Sequence, residues 1–447
     1  MNRLRKDAER IWWSGVAAVH AANLVRDCVE VDGNRLTICD HTIDVAKTER
    51  VLVVGAGKAC TEMATGLETA LRDSQFDSKL SGWINVPEPC LRPMRKIHLH
   101  AARPAGVNEP TMSGVEGTER ILDIVQQATE DDVLIVLLSG GGSALLPASV
   151  EGMTLADKQQ VTRLLMTSGA PIEELNCVRK HLSKVKGGRL LQNCNAGTVI
   201  SLIISDVIGD SLETIASGPT REDSTTAKDA WDILERHLGE EIPANVKIVL
   251  EAKIGKDAVN IAELPRVFHH IVGNNTTARE AAEETADMLG YRVHSLGSQV
   301  QGEAKEVGKR IAKLAVSIRT ESRPIAAPAC IVGGGETTVN LRNVSNSGKG
   351  GRNQELAIAL LNEFHEKNVS GICLLAGGTD GEDGPTDAAG AFADETVREN
   401  ALLKNLDVTD YLNRHDAYRF FEQTEGLFKI GTTHTNVMDL WVAIVSG

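Results

Sequence analysis

Six consecutive apolar residues, Val133–Leu138, run directly into a glycine-rich turn. Half of them are β-branched, and such a run predicts a strand buried on both faces, as in parallel sheets covered by helices. Glycines at the carboxyl end of a strand let the backbone bend and bring several N–H groups close to a ligand. Because open α/β sheets bind ligands at the carboxyl ends of their strands, the turn predicts an anion site, and phosphate is the favoured anion. The residues expected to line it are Gly140, Gly141, Gly142 and Ser143, with Ser139 at the start of the turn.

A buried strand followed by small or polar residues recurs along the chain. Strands alternate with helical stretches almost throughout, which is the signature of α/β architecture. Four further strands end in this way: Val51–Val54 before Gly55-Ala56-Gly57-Lys58, Val199–Ile204 before Ser205-Asp206, Ala329–Val332 before Gly333-Gly334-Gly335, and Ile372–Leu375 before Ala376-Gly377-Gly378.

The length of 447 residues predicts two domains, since one hydrophobic core rarely organises so long a chain. We expect a first domain at residues 1–250 and a second at 265–447, with a linker at about 238–264 that Pro243 and Pro265 bracket. The sequence leaves open whether the last strand, at about 439–446, pairs within the second domain or returns to the first.

Composition disfavours several functional classes. The formal net charge of −14 disfavours nonspecific binding to nucleic acids and to anionic membranes, which calls for a basic surface. No apolar run approaches the roughly 18 residues that span a bilayer, and the amino terminus has no apolar signal core. Eight cysteines without a C-x-x-C pair indicate reduced thiols in the cytoplasm. The expected partners are small molecules, and the oligomeric state, including a homo-oligomer, stays open.

Two basic residues stand at predicted helix starts, where a positive charge opposes the helix dipole. Lys58 follows the strand at Val51–Val54, and Arg352 follows two glycines. Both positions favour contact with an anionic ligand, and the alternative for each is a solvated surface side chain.

The turn that carries Lys58 matches no complete nucleotide-binding motif. It is not a Walker A loop, because Leu52 and Ala59 replace the first glycine and the Ser/Thr. It is a poor dinucleotide fingerprint, because Cys60 replaces the third glycine and Asp77 precedes the next strand instead of ending it.

Five basic residues crowd into positions 179–189 of this acidic chain. Helical spacing would place Lys180 and Lys184 on one face, where they could hold phosphates, and an ordinary solvated charge run is the alternative. At the end of another strand, Asp206 could take a hydroxyl proton or bind a metal, and an Asx-turn is its alternative.

The segment from Asp380 to Asp387 is an acidic, glycine-containing loop. It fails the EF-hand spacing, but Mg²⁺ needs only one or two carboxylates besides substrate phosphates, so Asp380 and Asp383 are candidate ligands. A plain turn is the alternative. Asn275 and Glu336 follow two further strands and are candidate ligand contacts.

These features together point to phosphoryl transfer. That reaction needs positive groups and N–H donors around the transferring phosphoryl, a divalent metal, and often a carboxylate that accepts the proton of the nucleophile.

In eight segments, taken in order, the chain resembles the class II glycerate kinases, the glycerate 2-kinases with a carboxyl-terminal MOFRL domain. The segments are Gly55-Ala56-Gly57-Lys58-Ala59, Ser139-Gly140-Gly141-Gly142-Ser143-Ala144-Leu145, Val178-Arg179-Lys180-His181-Leu182-Ser183, Ser205-Asp206-Val207-Ile208-Gly209-Asp210, Ala216-Ser217-Gly218-Pro219-Thr220, Gly333-Gly334-Gly335-Glu336-Thr337-Thr338, Gly350-Gly351-Arg352-Asn353-Gln354-Glu355, and Gly377-Gly378-Thr379-Asp380-Gly381.

The resemblance implies a Rossmann-like, three-layer first domain and a smaller MOFRL-type α/β second domain, with the active site in the cleft between them. It implies ATP-dependent phosphorylation of D-glycerate at the 2-hydroxyl, with Mg²⁺ as the metal. The lysine and arginine that the family is proposed to use map to Lys58 and Arg352, which are expected to stabilise the transferring phosphoryl and the glycerate carboxylate; which residue does which stays open. Asp206 is the candidate base.

The remaining candidate contacts complete the expected site. ATP and its phosphates would meet Gly140, Gly141, Gly142, Ser143, Lys180, Lys184 and Asn275; the substrate would meet Glu336 and Asn353; and the metal would meet Asp380 and Asp383.

Two alternatives compete with a kinase. A hydroxypyruvate reductase would need a nicotinamide fingerprint that the turn at Gly55 does not provide. A noncatalytic sensor of sugar acids or nucleotides would bind these ligands without producing ADP.

Overall fold

The computed structural model describes residues 3–107, 109–255, 265–341, 347–364 and 370–447. The chain forms two compact α/β units. The first unit is Ala21–Val272, and the second unit is Gly273–Gly447 together with the first 20 residues. Helix α1 (Arg3–Ala18) therefore belongs to the second unit.

The helices of the first unit are α2 (Ala21–Asp27), α3 (Cys60–Leu71), α4 (Met112–Gln126), α5 (Gly142–Leu145), α6 (Leu155–Thr167), α7 (Ile172–His181), α8 (Arg189–Gln192), α9 (Ala227–Leu238) and α10 (Ala244–Lys253). Its strands are β1 (Val29–Asp32), β2 (Arg35–Ile38), β3 (His41–Asp44), β4 (Val51–Ala56), β5 (Leu80–Pro87), β6 (Ile97–Arg103), β7 (Val133–Leu138), β8 (Thr198–Ile204) and β9 (Arg266–Gly273).

A six-stranded sheet organises the first unit, in the order β6-β5-β4-β7-β8-β9. The pairs β6–β5, β5–β4, β4–β7 and β7–β8 are parallel, and every residue of β4 and β7 is buried. This is the strand order of the doubly wound nucleotide-binding folds, in which the sheet grows in opposite directions from a switch point between β4 and β7. The apolar runs therefore predicted the central strands correctly. Strands β1, β2 and β3 form a separate antiparallel sheet.

The stretch expected to be a linker contains a helix. Pro243 stands at the N-cap of α10, where the fixed φ of proline and its missing N–H cost nothing. Val246 and Leu250, one turn apart, bury their side chains in a core shared with α6, α7 and α9. The expected linker is thus wrong for 244–253, and its part at 256–264 lies outside the described residues.

The helices of the second unit, besides α1, are α11 (Asn275–Met288), α12 (Ala304–Glu321), α13 (Arg352–Glu363), α14 (Glu395–Leu403), α15 (Val408–Asn413) and α16 (Ala417–Thr424). Its strands are β10 (Arg292–Ser295), β11 (Ala329–Gly335), β12 (Ile372–Gly378), β13 (Gly390–Asp394), β14 (Leu427–Phe428) and β15 (Asp439–Val445).

The last strand of the chain lies inside the sheet of the second unit, whose order is β10-β11-β15-β12-β13-β14. Strand β15 runs antiparallel to both neighbours, so that Asp439 pairs with Gly335 on one side and Gly378 on the other. The return to the first domain that the sequence left open does not occur. All seven residues of β15 are buried, as its apolar sequence requires.

Helix α1 corrects the expectation that residues 1–250 form one domain. The indole Nε1 of Trp12 donates to the backbone oxygen of Leu440 at 3.1 Å, and Trp12 is fully buried beside Phe428. Arg5 forms an ion pair with the buried carboxylate of Asp394. An amphipathic helix specifies only that it must pack on something, so the sequence did not identify this sheet as its partner.

Candidate functional site

Three neighbouring parallel strands of the first unit end at one edge of its sheet. Strand β4 leads to Lys58, β7 to Ser139–Ser143, and β8 to Asp206. Ala56 and Leu138 are register partners, so the turns after β4 and β7 begin at the same level. The predicted residues therefore meet at the switch point of the sheet, where ligands of open α/β folds bind.

The turn after β4 is hydrogen-bonded to the loop after β7. The backbone N–H of Lys58 donates to the oxygen of Gly140 at 2.9 Å, and that of Ala59 donates to Ser139 Oγ at 3.0 Å. Gly57 has φ +154°, and a Cβ at this position would lie 2.1 Å from Ser139 Oγ. The approach of the two loops therefore requires a residue without a side chain at Gly57.

Replacing Gly57 by alanine should push the two loops apart. We expect a loss of about 1–3 kcal/mol of stability and a fall in activity, because the methyl group would overlap Ser139 and the backbone would be strained. Thermal melts and initial rates measure both effects. Gly209→Ala is the matched control, because Gly209 has φ +77° with open space around its Cβ position and so reports strain alone. Equal effects in the two variants would contradict the steric explanation.

Ser143 lies among cations. Lys186 Nζ donates to the oxygen and to Oγ of Ser143, both at 2.6 Å, and Arg179 Nη2 lies 3.1 Å from the same Oγ. The hydroxyl of Ser217 is 2.8 Å from that of Ser143. Two basic side chains and a second hydroxyl thus contact the predicted serine.

The cation cluster is defined here as Lys158, Arg179 and Lys186, three basic side chains that the fold largely buries. Lys186 is 2% and Lys158 9% exposed. Burial lowers the pKa of all three, and Arg179 lowers the pKa of both lysines further. Within the described part of the chain, no carboxylate lies within 4.0 Å of these three groups. Because buried like charges are costly without counter-ions, the cluster is suited to an anionic ligand.

Anion binding at the cation cluster should take up a proton near neutral pH. Burial, with the charges of Arg179 and Lys253, lowers the pKa of Lys158 to about 7. A bound anion favours the charged ammonium and raises that pKa again, so affinity should weaken as the pH rises above about 7. Calorimetric titration of ATP at about pH 8, in buffers of different ionisation enthalpy, measures the uptake. Lys158→Met should reduce it and exposed Lys184→Met should not; an enthalpy independent of the buffer would contradict the prediction.

Two lysines expected to bind phosphate are placed differently. Helix α7 ends at His181, so Lys180 and Lys184 do not share a helical face. Lys180 is buried in an ion pair with Asp223, with Nζ and Oδ1 2.5 Å apart, and Lys184 is exposed. The basic run was the right segment, but Arg179 and Lys186 are the members that point to Ser143. Lys158 carried no sequence signal, because its burial depends on how α6 packs.

Asp206 follows the last residues of β8 and is half-buried. Its place at the same sheet edge as Lys58 agrees with the expected geometry of a base. Its catalytic role stays a prediction.

In the second unit, Arg352 lies at the edge where β11, β15 and β12 meet. Its Nε donates to Asp439 Oδ2 at 2.6 Å, Nη2 to Asp439 Oδ1 at 3.1 Å, and Nη1 to Glu336 Oε1 at 3.0 Å. Asp439 is completely buried, whereas the side chain of Glu336 is half exposed, and burial raises the pKa of Glu336. Two carboxylates thus balance the arginine, so its place at a helix start does not by itself require an anionic ligand.

Asn353 and Asp383 organise the start of α13. Asp383 Oδ1 accepts from the backbone N–H of Asn353 at 3.0 Å, and Oδ2 accepts from that of Gln354 at 2.9 Å. This carboxylate therefore caps the amino terminus of α13 although it lies far away in the sequence. Burial raises the pKa of Asp383 to about 7. Asn353 is fully buried, donating to Asp439 and accepting from Trp441 Nε1. Both residues are thus committed to internal contacts.

Asn275 and Asp380 occupy the same sheet edge in different ways. Asn275 is buried, and its Nδ2 donates to the backbone oxygens of Val437 and Asp439, at 2.7 and 2.9 Å, just where β15 begins. Asp380 follows β12, is half-buried, and accepts the backbone N–H of Glu382 at 3.1 Å. Asn275 therefore ties the chain to β15, while Asp380 lies nearer the surface.

Known protein families match segments of both units. Residues 7–251 match a family described as Domain of unknown function (DUF4147), and residues 329–439 match the MOFRL family. The glycerate 2-kinase of Pyrococcus horikoshii is 35% identical over 99% of this chain and 98% of its own. A protein of Agrobacterium vitis, named provisionally as a hydroxypyruvate reductase, is 36% identical over 98% of this chain and 96% of its own.

A solved structure extends the likeness to three dimensions. The crystal structure of the glycerate kinase of Thermotoga maritima is 33% identical in sequence, with a TM-score of 0.83 over 99% of both chains. Within the described residues, no helix is long and apolar enough to cross a membrane. The chain belongs to the MOFRL family of glycerate 2-kinases.

Proposed function

We propose that this chain catalyses the ATP-dependent phosphorylation of D-glycerate at its 2-hydroxyl, giving 2-phosphoglycerate and ADP. Relatives named glycerate kinase match over nearly the whole chain. The observation that carries the proposal is the cation cluster beside the glycine loop at the switch point of the first sheet. The three cations have no carboxylate partner in the part of the chain that the structure describes, and they lie next to backbone donors, as polyphosphate recognition requires.

In this proposal the first unit holds the nucleotide phosphates. Lys186 and Arg179 contact phosphate oxygens in the neighbourhood of Ser143. Gly140 and Gly141 supply backbone N–H donors, because those of Ser139 and Gly142 already donate to Ala56 and Ser139. Lys58 stabilises the charge that develops on the transferring phosphoryl. Because Lys180 is paired with Asp223 and Lys184 is exposed, their expected phosphate contacts are not carried forward.

The reaction makes one bond and breaks one. The 2-hydroxyl oxygen of glycerate forms a bond to the γ-phosphorus, the bond from that phosphorus to the bridging oxygen breaks, and ADP leaves with the electron pair. Asp206 is proposed to accept the hydroxyl proton. Arg352, oriented by Asp439, would present its remaining N–H groups to the glycerate carboxylate, with Glu336 beside it.

Mg²⁺ is the proposed metal, and it would neutralise charge on the nucleotide phosphates. Of the two expected metal ligands, one suits Mg²⁺ and the other does not. Asp380 has a carboxylate that is half-buried near the surface, which suits a metal that keeps water and phosphate ligands. Both oxygens of Asp383 already cap α13, so Asp383 does not fit.

Phosphorus NMR of the product tests the proposed function. Incubation with ATP, Mg²⁺ and D-glycerate should give a phosphomonoester resonance coupled to the proton of C2, together with ADP. A resonance coupled to the C3 protons would reassign the hydroxyl. ADP formation that does not depend on glycerate, or nucleotide binding without ADP, would overturn the proposal.

A hydroxypyruvate reductase is the second candidate, favoured by the provisional name of the Agrobacterium vitis relative. The structure gives it little support at the turn after β4. Cys60, at the place of the third fingerprint glycine, is fully buried with Sγ 3.4 Å from the oxygen of Leu137, and Asp77 precedes β5 and pairs with Arg95. Oxidation of NADH or NADPH that depends on hydroxypyruvate would favour this alternative.

The proposed setting is the cytoplasm, with small molecules as partners. The eight cysteines, which include no C-x-x-C pair, support a reducing compartment. Fractionation of cells from the source organism would test the location, and light scattering of the purified protein would test for a homo-oligomer.

A further inference from the structure

A second cluster of metal-binding side chains lies in the first unit, where the small antiparallel sheet meets the edge strand β9. Asp40 lies in the turn between β2 and β3, His41 is the first residue of β3, and His270 lies within β9. Their donor atoms, one carboxylate oxygen and two imidazole nitrogens, all lie within 4.8 Å of one another. Among the described residues, this is the group of three such ligands that the geometry brings together.

The spacing of these atoms suits a small divalent ion. Asp40 Oδ1 is 3.0 Å from His41 Nε2 and 3.4 Å from His270 Nε2. In a tetrahedral site with metal–ligand bonds of about 2.0–2.1 Å, neighbouring donor atoms are about 3.3 Å apart. An ion could therefore reach all three atoms after small side-chain adjustments.

One imidazole of the cluster packs on an aromatic ring. The other has a ring nitrogen that lacks a hydrogen-bond partner among the described residues. His270 Nε2 is buried without a hydrogen-bond partner among the described residues, because its approach to Asp40 does not have hydrogen-bonding geometry. The ring of His41 packs on Phe268, with centroids 3.5 Å apart, and its centroid is 5.2 Å from that of His270. A buried polar atom without a partner calls for an explanation, and a metal bond would satisfy it.

We propose that Asp40, His41 and His270 bind one borderline divalent metal ion of the zinc class, with water completing the coordination. Two imidazoles and one carboxylate suit Zn²⁺ or Co²⁺, whereas Mg²⁺ prefers oxygen ligands. The side chain of Asp40 is 75% exposed, so an ion can enter without unfolding of the site. The bound ion would clamp the β2–β3 turn to β9 and stabilise the first unit. This site is independent of the residues proposed for catalysis.

Co²⁺ titration of the full-length, tag-free protein tests the site, because bound Co²⁺ reports its ligands in the visible spectrum. We expect one equivalent with the absorption of a nitrogen and oxygen site, displaced by Zn²⁺ and not by Mg²⁺. At a hundredfold excess over Kd, Zn²⁺ should raise Tm by about 5 °C. Asp40→Asn, His41→Gln and His270→Gln should each lose this equivalent and the shift in Tm. His294→Gln, which changes a histidine outside the cluster, should keep both.

Several results would overturn the proposal. Asp40→Asn should fold, because Asp40 is exposed, so unchanged metal stoichiometry in that variant would remove Asp40 from the site. A charge-transfer band from sulfur to Co²⁺, lost in Cys39→Ser but not in His270→Gln, would place the ion at Cys39 and its neighbour Cys28, whose backbone oxygen accepts the N–H of Cys39 at 2.7 Å. Absence of a Co²⁺ spectrum in the wild-type protein would exclude the site directly.

Discussion

Replacing Lys58 by alanine is expected to lower kcat for glycerate phosphorylation by about 10²–10³-fold while the protein keeps its fold. The lysine follows β4 at the switch point, and its backbone N–H holds the loop after β7 through Gly140. Alanine keeps that hydrogen bond, so the substitution removes only the side chain. The transferring phosphoryl then loses a cation when its charge is being redistributed, which raises the barrier of the chemical step.

Steady-state kinetics with ATP and D-glycerate measure the loss, and a thermal melt confirms that the fold is intact. Lys184→Ala is the matched control, since that lysine of the basic run is exposed. The Lys184→Ala variant should change kcat less than twofold. The Lys58→Arg variant should retain part of the wild-type activity. A near-normal kcat in Lys58→Ala would remove this residue from the mechanism.

The central strands of the two six-stranded sheets could be predicted because the local sequence indicates that they are buried. Runs such as Val133–Leu138 have no polar face, so they must lie in the middle of a covered sheet. Local sequence does not show which strands a given strand pairs with. The sequence of β15 requires burial, but it does not specify insertion between β11 and β12, because that pairing depends on elements more than 60 residues away.

The main edge of the candidate site was also predictable. Carboxyl ends of parallel strands lie on one side of a sheet, so glycines after β4 and β7 had to come together. The choice of cations was not predictable in the same way. The basic run contains five cations, and the point at which α7 ends decides which of them face Ser143. Lys180 pairs instead with Asp223, which lies 43 residues further along the chain, and the pattern of charges does not reveal that contact.

The dipole argument is insufficient at the start of α13, and its conclusion for Lys58 stays a prediction. Arginine at the start of α13 opposes the helix dipole, but Asp383 caps that helix and Asp439 with Glu336 balances the guanidinium. These acids are 31, 87 and 16 residues from Arg352, counted from their positions in the chain, so no local pattern could have shown them. A role for Arg352 in catalysis therefore has to be separated from its role in the structure.

Arg352→Ala should cost the protein both stability and turnover. Asp439 is completely buried and receives two hydrogen bonds from the guanidinium, so removing the arginine leaves its carboxylate without its main counter-charge. Breaking a buried pair in this way costs about 3–5 kcal/mol. Chemical denaturation should show this loss, and kcat should fall by about 10²-fold or more if the arginine also holds the substrate carboxylate.

The double variant with Arg352→Ala and Asp439→Asn separates the two roles. A neutral amide needs no counter-charge, so the second substitution should restore most of the stability that the first removes. Asp439→Asn supplies no cation for the substrate, and kcat of the double variant should therefore stay low. Glu336→Gln is the companion control, because its half-exposed ion pair should contribute less than about 1 kcal/mol. If the double variant recovered near-normal kcat together with its stability, Arg352 would serve only to neutralise Asp439, and recognition of the glycerate carboxylate would have to be assigned to another residue.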